Sequence, residues 1–252
     1  MEITNQLKKY VRSLHTNKQR QKYNKFIAEG PKVSVEFLRA NKYQLEFLFC
    51  TNEWQEANEH LLLDLDVNKV IPVKSKVLSQ LSLLKTANNI LLVLDINQGE
   101  NHESNAQSWT LYLDRIQDPG NMGTILRIAD WYGIESVLAS SDCVSYYNPK
   151  VIQAGMGAHN RVHLETVTYT ELISNELPKY GLSLDGKLLN NNLNLDPGII
   201  IIGNESKGIS SELLTSCNER LTIPRHGGAE SLNASVACGI SCQILIGNHA
   251  SG

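Results

Sequence analysis

The sequence predicts an α/β protein built on a mostly parallel sheet, and residues 109–252 carry this prediction. Short apolar runs alternate there with helical patterns, as expected when helices join parallel strands. The run at 198–203, GIIIIG, is unbroken and β-branched, which is typical of a strand buried on both faces. Gly133 closes one helical pattern, and Pro149 lies in the first turn of another.

The elements of this part follow in a regular order. A strand at 111–114 is followed by a DPGN turn and by a helix from about Gly123 to Tyr132. Further elements then alternate, with strands predicted at 134–140, 198–203 and 220–224 and helices at 148–158, 210–217 and 233–246.

A smaller α/β pattern precedes this part. Residues 45–50, 67–73 and 88–95 are apolar and strand-like, and a charged, helix-like stretch runs to Leu63. The polar residues 96–108 have the composition of a linker. We therefore expect two domains, residues 1–95 and 109–252. The first groups no catalytic side chains and is expected to be an accessory binding module.

Composition excludes several classes of protein. The 252 residues are 42% hydrophobic and 19% charged, an ordinary globular balance, and no apolar run approaches the ~18 residues of a membrane span. The N-terminal residues have no continuous apolar stretch, so a secretory signal is not expected. The five cysteines are scattered without a CxxC pair, which predicts neither a disulfide framework nor a metal site. Cys238 and Cys242 are predicted to be small buried residues of a cytoplasmic protein.

The net charge of −3 is unevenly distributed along the chain. Residues 1–25 carry a net charge of +6, which leaves −9 for the remainder. A basic stretch on an acidic body is a candidate phosphate-binding surface, and the alternative is a solvated helix face. Its cations are Lys8, Lys9, Arg12, Lys18, Arg20, Lys22 and Lys25.

Three polar loops follow predicted strands, at the edge where parallel sheets bind ligands. The first begins at Asp114, contains Asn121 and leads to Arg127. Gly120 and Gly123 allow a ligand to approach the backbone closely. A helix start beside an arginine is a natural phosphate site, and the alternative is a glycine-rich turn with a surface arginine.

The second loop, Gly203-Asn-Glu-Ser-Lys-Gly208, directly follows the buried run. Ile209 stands where a Walker motif requires lysine, and the loop does not match GxGxxG either. The third loop, 223–233, brings Glu230, Ser231 and Asn233 to the start of a helix rich in small residues. The alternatives are a polar turn for the second loop and a helix cap at Ser231 or Asn233 for the third.

Together, the motifs Asn121-x-Gly123-x3-Arg127, Gly203-Asn-Glu-x2-Gly208 and Ile223-Pro…Glu230-Ser-Leu-Asn233 closely resemble those of the SpoU/TrmH family of RNA 2′-O-methyltransferases. The resemblance covers essentially all of 109–252. Lys18-x-Arg20 and then Ala28-Glu-Gly-x-Lys32 resemble, less specifically, the ribosomal-protein-like RNA-binding domain found in the family.

This resemblance implies an α/β trefoil-knot domain, a homodimer formed through that domain and S-adenosylmethionine as cofactor. It implies catalytic roles for Asn121, Arg127, Glu205, Ser231 and Asn233. It also implies a cofactor site formed by Gly203, Asn204, Glu205, Gly208, Ile223, Pro224, Ser231, Leu232 and Asn233. RNA contacts are expected from Lys18, Arg20, Lys32 and Arg127.

The expected reaction is methylation of a ribose 2′-hydroxyl, with large-subunit ribosomal RNA as the first candidate substrate and transfer RNA as the second. The family proposal makes Arg127 the base, but a guanidinium is normally always protonated, so we expect it to act electrostatically on a phosphate or a developing alkoxide. Glu205 then holds the loop or accepts a proton through water. The other readings are a non-catalytic RNA-binding protein and a nucleotide-binding α/β enzyme.

Overall fold

The computed structural model describes residues 3–84, 88–96 and 108–247, so the predicted linker lies almost entirely outside the described residues. The first two ranges contain α1 (Asn5–Ser13), α2 (Asn17–Tyr23), β1 (Lys25–Glu29), α3 (Pro31–Ala40), β2 (Leu45–Cys50), α4 (Asn52–Ala57), β3 (Val70–Pro72), α5 (Ser75–Leu81) and β4 (Ile90–Asp95).

The third range contains β5 (Thr110–Leu113), α6 (Pro119–Trp131), β6 (Ser136–Ala139), α7 (Pro149–Gly155), β7 (His163–Thr166), α8 (Tyr169–Ser174), β8 (Lys179–Leu188), β9 (Ile199–Ile202), α9 (Ser211–Ser216), β10 (Glu219–Thr222) and α10 (Ala234–Cys242). A π-helical turn, Gln243–Gly247, follows α10. None of the helices in these described stretches is long and apolar enough to cross a membrane.

The chain forms two compact units, and the first combines residues 1–98 with residues 145–160. Its four-stranded sheet has the order β1-β4-β2-β3, in which β4 runs antiparallel to both of its neighbours. Side chains of β1 alternate between the two faces of the sheet, as the strand period requires. Phe26 and Ala28 join one apolar cluster, and Ile27 joins another.

Helix α7 is part of this first core although it follows β6 in the sequence. Its Ile152 is fully buried in the same cluster as Phe26. A short 3₁₀ turn after α7 buries His159 completely, and its Nε2 lies 2.9 Å from the carbonyl oxygen of Tyr146. Burial lowers the pKa of His159 to about 4.

The second unit, residues 99–144 and 161–252, contains a six-stranded sheet with the order β10-β8-β9-β5-β6-β7. All neighbouring strands are parallel, which confirms the predicted sheet type. The four isoleucines of β9 are at most 2% exposed, so this strand is buried on both faces as predicted.

Two strands of this sheet, β7 and β8, were not predicted. β8 contains two lysines, an aspartate and two glycines, so it lacks the apolar pattern of a buried strand. The glycines permit close backbone approach, because a Cβ on Gly186 would lie 2.5 Å from the carbonyl oxygen of Arg220. β8 also pairs with β10 through a shift in register, which conceals its period.

Helix α6 begins earlier than the sequence predicts. Pro119 takes the first helical position, and the Asp118 side chain accepts a hydrogen bond from the Asn121 backbone N–H at 2.8 Å. The DPGN sequence, predicted to be a turn, therefore forms the cap and first turn of the helix. Asn121 lies inside the helix rather than in a preceding loop. At the other end the helix stops before Gly133, whose φ is +67°, as predicted.

Candidate active site at the carboxyl edge of the parallel sheet

The three polar loops meet at one edge of the six-stranded sheet. β5 pairs directly with β9, with Leu113 opposite Ile202, so the first two loops leave the sheet side by side. β8 separates β9 from β10, and the third loop leaves from the end of β10. This is the edge at which parallel α/β sheets bind ligands.

A buried carboxylate joins the first loop to the second. Asp114 is 4% exposed and accepts two hydrogen bonds from the Arg115 guanidinium, at 3.0 and 2.9 Å. It also accepts one from the backbone N–H of Ser210 at 2.8 Å. This bonding to Asp114 raises the pKa of Arg115. The carboxylate thus fixes the base of both loops.

Arg115 itself adopts a left-handed backbone conformation, with φ of +59°. Its backbone N–H donates to Ser140 Oγ at 3.0 Å, and its carbonyl oxygen accepts from Asn204 Nδ2 at 2.8 Å. Such a conformation is costly for a residue with a side chain and persists where neighbours hold it. Asn204 is therefore a residue that shapes the loop.

The second loop turns back tightly on itself. Asn204 and Gly208 exchange backbone hydrogen bonds at 3.1 and 2.8 Å. A Cβ added to Gly203 would lie 2.3 Å from both the carbonyl carbon of Gly208 and the nitrogen of Ile209. Only glycine fits at position 203, and the turn leaves the Glu205 side chain at the sheet edge.

Three of the predicted site residues form one hydrogen-bonded chain. Asn121 Nδ2 donates to Glu205 Oε1 at 2.7 Å, and Asn233 Nδ2 donates to Asn121 Oδ1 at 2.8 Å. Each bond joins a different pair of loops, across 84 and 112 residues of sequence. The structure therefore brings the predicted polar site residues of all three motifs into contact.

The orientation of both amides in this chain is fixed from its two ends. Asn233 is the N-cap of α10, and its Oδ1 accepts from the backbone N–H groups of Ser235 and Val236 at 3.0 and 3.3 Å. Its Nδ2 must therefore point toward Asn121. A carboxylate accepts but does not donate, so Asn121 must in turn present its Nδ2 to Glu205.

Ser235 belongs to the same cluster, although sequence reasoning did not select it. It is 8% exposed, and its hydroxyl donates to Asn233 Oδ1 at 2.6 Å. The sequence contained one indication of this role: Ser235 lies two residues after Asn233, the predicted helix cap. Asp114 and Arg115 were likewise not selected as site residues.

Arg127 and Ser231 lie outside the hydrogen-bonded chain. Both are exposed, and neither side chain has a hydrogen bond or ion pair to another described residue. Arg127 lies in α6 six residues after Asn121, with its guanidinium open to solvent. Of the two helix caps considered for the third loop, Asn233 is the one used.

The third loop offers unpaired backbone groups suited to a polar cofactor. Between Ile223 and Leu232, the only backbone group that forms a hydrogen bond within the described part of the chain is the Ala229 carbonyl, which accepts from Arg225 at 3.3 Å. Leu232 exposes 46% of its surface and offers an apolar face. This combination of free amides, free carbonyls and an apolar side chain fits an adenosine-containing ligand.

In the first unit, the predicted RNA-binding cations differ in their exposure to solvent. Lys18 and Lys32 are exposed. Arg20 is 2% exposed, and its guanidinium donates to the carbonyl oxygens of Leu14 and His15 at 3.2 and 3.0 Å. The prediction that Arg20 contacts RNA is therefore corrected: this side chain ties the connection between α1 and α2.

The first unit also contains an open cavity of about 930 Å³. It lies where β2 and β3 end and where α1, α4 and α5 begin. Its polar and charged lining residues include Lys8, Lys74, Asn5, Asn52, Ser75 and Glu53.

A parallel α/β domain with a network of polar side chains and a loop of unpaired backbone groups at its carboxyl edge is typical of enzymes that bind a nucleotide cofactor. Two family models match the chain. The SpoU rRNA Methylase family model covers residues 108–243, and the MRM3-like substrate binding domain model covers residues 5–92. The chain therefore belongs to the SpoU rRNA Methylase family, which confirms the predicted family and its enzyme class.

The similarity to known proteins extends over nearly the whole chain. The 23S rRNA (guanosine(2553)-2′-O)-methyltransferase RlmP of Bacillus subtilis is 28% identical over 250 residues, covering 96% of this chain and 97% of that protein. The solved structure of an RNA methyltransferase of the TrmH family from Porphyromonas gingivalis is 32% identical, with a TM-score of 0.85 over 96% of this chain and 98% of that one.

A third comparison concerns the fold alone. The SpoU methyltransferase AviRb from Streptomyces viridochromogenes, in complex with the cofactor AdoMet, has a TM-score of 0.86 at 19% identity, covering 99% of this chain and 100% of that one. The predicted fold class, an α/β knot domain with an additional N-terminal domain, is confirmed by this shared fold.

Proposed function

We propose that this chain transfers a methyl group from S-adenosylmethionine to a ribose 2′-hydroxyl of large-subunit ribosomal RNA. One observation carries the proposal: the chain from Asn233 through Asn121 to Glu205 joins all three loops of the family motif. A protein that had kept the fold only for binding RNA has no need of this arrangement, which favours the enzyme over the non-catalytic reading.

The cofactor fits the third loop and the second. The residues that would hold it are Gly203, Asn204, Gly208, Ile223, Pro224 and Leu232. The third loop would supply unpaired backbone groups, whereas Asn204 and Gly208 bond to each other and would shape the turn beside the cofactor. When bound, S-adenosylmethionine supplies a methyl group activated by a positively charged sulfur, so the protein has to position the reactants and manage one proton.

Glu205 is the proposed proton acceptor of the site. Its Oε1 is held by Asn121, while its Oε2 has no partner among the described residues and is free to accept a proton directly or through water. Arg127 is proposed to bind the neighbouring phosphate and to stabilise negative charge on the 2′-oxygen. Ser231 is exposed and lies two residues before Asn233 in the sequence. It is proposed to orient the ribose 2′-hydroxyl.

The first unit is proposed to bind the RNA, in agreement with its match to a substrate-binding domain. Lys18 and Lys32 supply exposed cations, and Lys8 and Lys74 line the cavity together. Lysines in an open polar groove suit the phosphate backbone of RNA. Simultaneous Lys8→Gln and Lys74→Gln changes are expected to raise the KM for RNA about tenfold and to leave cofactor affinity unchanged. Lys69→Gln, a lysine absent from the cavity lining, is the matched control.

A homodimer formed through the second unit is proposed as well. Trp131 of α6 is 84% exposed and Val236 of α10 is 49% exposed, and these two helices pack against each other. Large exposed apolar side chains mark interaction surfaces. Sedimentation of wild type and of Trp131→Glu tests this proposal, which predicts a dimer for the first and a monomer for the second. The cytoplasm stays the expected location.

A transfer assay tests the reaction. Labelled S-adenosylmethionine is incubated with unmodified ribosomal or transfer RNA, and the nucleosides are then separated. A labelled 2′-O-methylnucleoside from the ribosomal RNA is expected, whereas label only in transfer RNA favours the second substrate. Arg127→Ala is expected to fold normally and to lose at least about 100-fold in turnover. A near-normal rate in that variant removes Arg127 from the mechanism.

A further inference from the structure

The Ser235 hydroxyl begins the hydrogen-bonded chain that ends on Glu205. It donates to Asn233 Oδ1 at 2.6 Å, and the same oxygen receives the backbone N–H groups of Ser235 and Val236. Asn121 Oδ1 lies 3.4 Å from the hydroxyl, a distance at which hydrogen bonds are weak. The single hydroxyl proton therefore goes to Asn233.

All donors along this chain point in one direction. The hydroxyl donates to the Asn233 amide, that amide donates to the Asn121 amide, and the Asn121 amide donates to the Glu205 carboxylate. Each donor polarises the next, so a chain of this kind is stronger than its separate bonds. Glu205 has no other hydrogen-bond partner among the described residues, and its position depends on this chain.

We propose that Ser235 is a positioning residue, which holds the Glu205 carboxylate in place through Asn233 and Asn121. The inference rests on the proposed function, because it assigns Ser235 a part in the same reaction. Ser235→Ala keeps both backbone donors to Asn233, and thus the helix cap, but removes the shortest bond. The expected result is a fall in kcat of about tenfold with cofactor affinity unchanged, and a fall in melting temperature of no more than about 3 °C for the lost hydrogen bond.

The chain offers a matched control on the same helix. Ser241 is fully buried in α10, and its Oγ has no hydrogen-bond partner within the described residues. Ser241→Ala is expected to leave kcat at the wild-type value. A purely structural role for Ser235 instead predicts that Ser235→Ala lowers the melting temperature by much more than about 3 °C and weakens cofactor binding along with kcat.

A double-mutant cycle tests the route through Glu205. Adding Ser235→Ala to Glu205→Ala is expected to cause no further loss of kcat, because the end of the chain is already absent. Independent, multiplying losses overturn the proposal, and so does a wild-type kcat for Ser235→Ala alone.

A second readout needs no substrate. In ¹⁵N-labelled protein, the Nδ2 hydrogens of Asn121 and Asn233 are expected to exchange with water slowly in wild type and in Ser241→Ala, and several-fold faster in Ser235→Ala. Equal exchange in all three proteins refutes the inference. If wild type transfers no methyl group to RNA, the proposed function fails, and this exchange measurement still decides whether Ser235 holds the chain.

Discussion

Replacing Asn233 by aspartate separates the two roles of this side chain. As N-cap of α10 its Oδ1 accepts two backbone N–H groups, and as a donor its Nδ2 holds Asn121 Oδ1 at 2.8 Å. Aspartate caps a helix as well as asparagine does, but it has no hydrogen to donate. Asn233→Asp therefore preserves the cap and presents an acceptor to the Asn121 oxygen.

The magnitudes follow from these two roles. Loss of the cap in Asn233→Ala costs about 1 kcal/mol, a fall in melting temperature of about 3 °C for a chain of this size. Asn233→Asp is expected to melt within about 1 °C of wild type. In both variants the Asn121 oxygen loses its donor, and because Asn233 is exposed, water can take the donor's place in the folded state. The Asn121 amide and the Glu205 carboxylate that it holds are then no longer fixed, so kcat of both variants is expected to fall about 10- to 100-fold.

Thermal unfolding and the labelled-methyl assay, run on wild type and both variants, measure the two effects separately. The expected pattern is loss of turnover in both variants and loss of stability in the alanine variant alone. Wild-type turnover in Asn233→Asp, or equal destabilisation of the two variants, contradicts the assignment of separate roles.

Two further variants probe the loop turn and the first core. Gly203→Ala places a Cβ 2.3 Å from backbone atoms of Gly208 and Ile209. We therefore expect cofactor affinity, measured by calorimetry, to fall at least about tenfold. Gly133→Ala is the control, because a Cβ there meets no atom within 4 Å, and this variant should bind the cofactor normally despite its positive φ. The pKa of His159 is lowered by burial to about 4, so the unfolded chain takes up its proton first as the pH falls. Stability is then complete above about pH 6.5 and decreases by roughly 3 kcal/mol toward pH 4, and urea unfolding should show a weaker pH dependence in His159→Gln. Equal pH dependence in the two proteins assigns the effect to other groups.

Local pattern predicted much of the fold. The isoleucines of β9 and the alternation of strands and helices predicted a parallel sheet, because burial on both faces requires an unbroken apolar run. Asp118 and Pro119 also signal an earlier helix start, but the same DPGN sequence is typical of a turn, which conceals that signal. β8 could not be found in this way, because its two glycines are required by close neighbours in the tertiary structure, the Arg220 backbone beside Gly186 and the Cys217 side chain beside Gly181.

The cations of the first unit show the limit of reading charge from sequence. Lys18 and Arg20 are two residues apart in one basic stretch, yet one is exposed and the other is 2% exposed. The helix period places them on different faces of α2, and the carbonyl groups that Arg20 satisfies belong to the preceding turn. Net charge identified the stretch, and packing decided which of its members are available to a ligand.

The sequence by itself determined the sheet type, the family and the three motifs that carry Asn121, Glu205 and Asn233, because hydrophobic periodicity and motif spacing are local properties. Only the tertiary structure decided which side chains pair, since the partners of Asn121 lie 84 and 112 residues away and are brought together by strand order. The direction of the hydrogen bonds, and with it the place of Ser235 in the chain, follows from helix-start donors at one end and a carboxylate at the other. The helix-start donors and the carboxylate act on the same side chains only when the three motifs lie at one edge of the sheet.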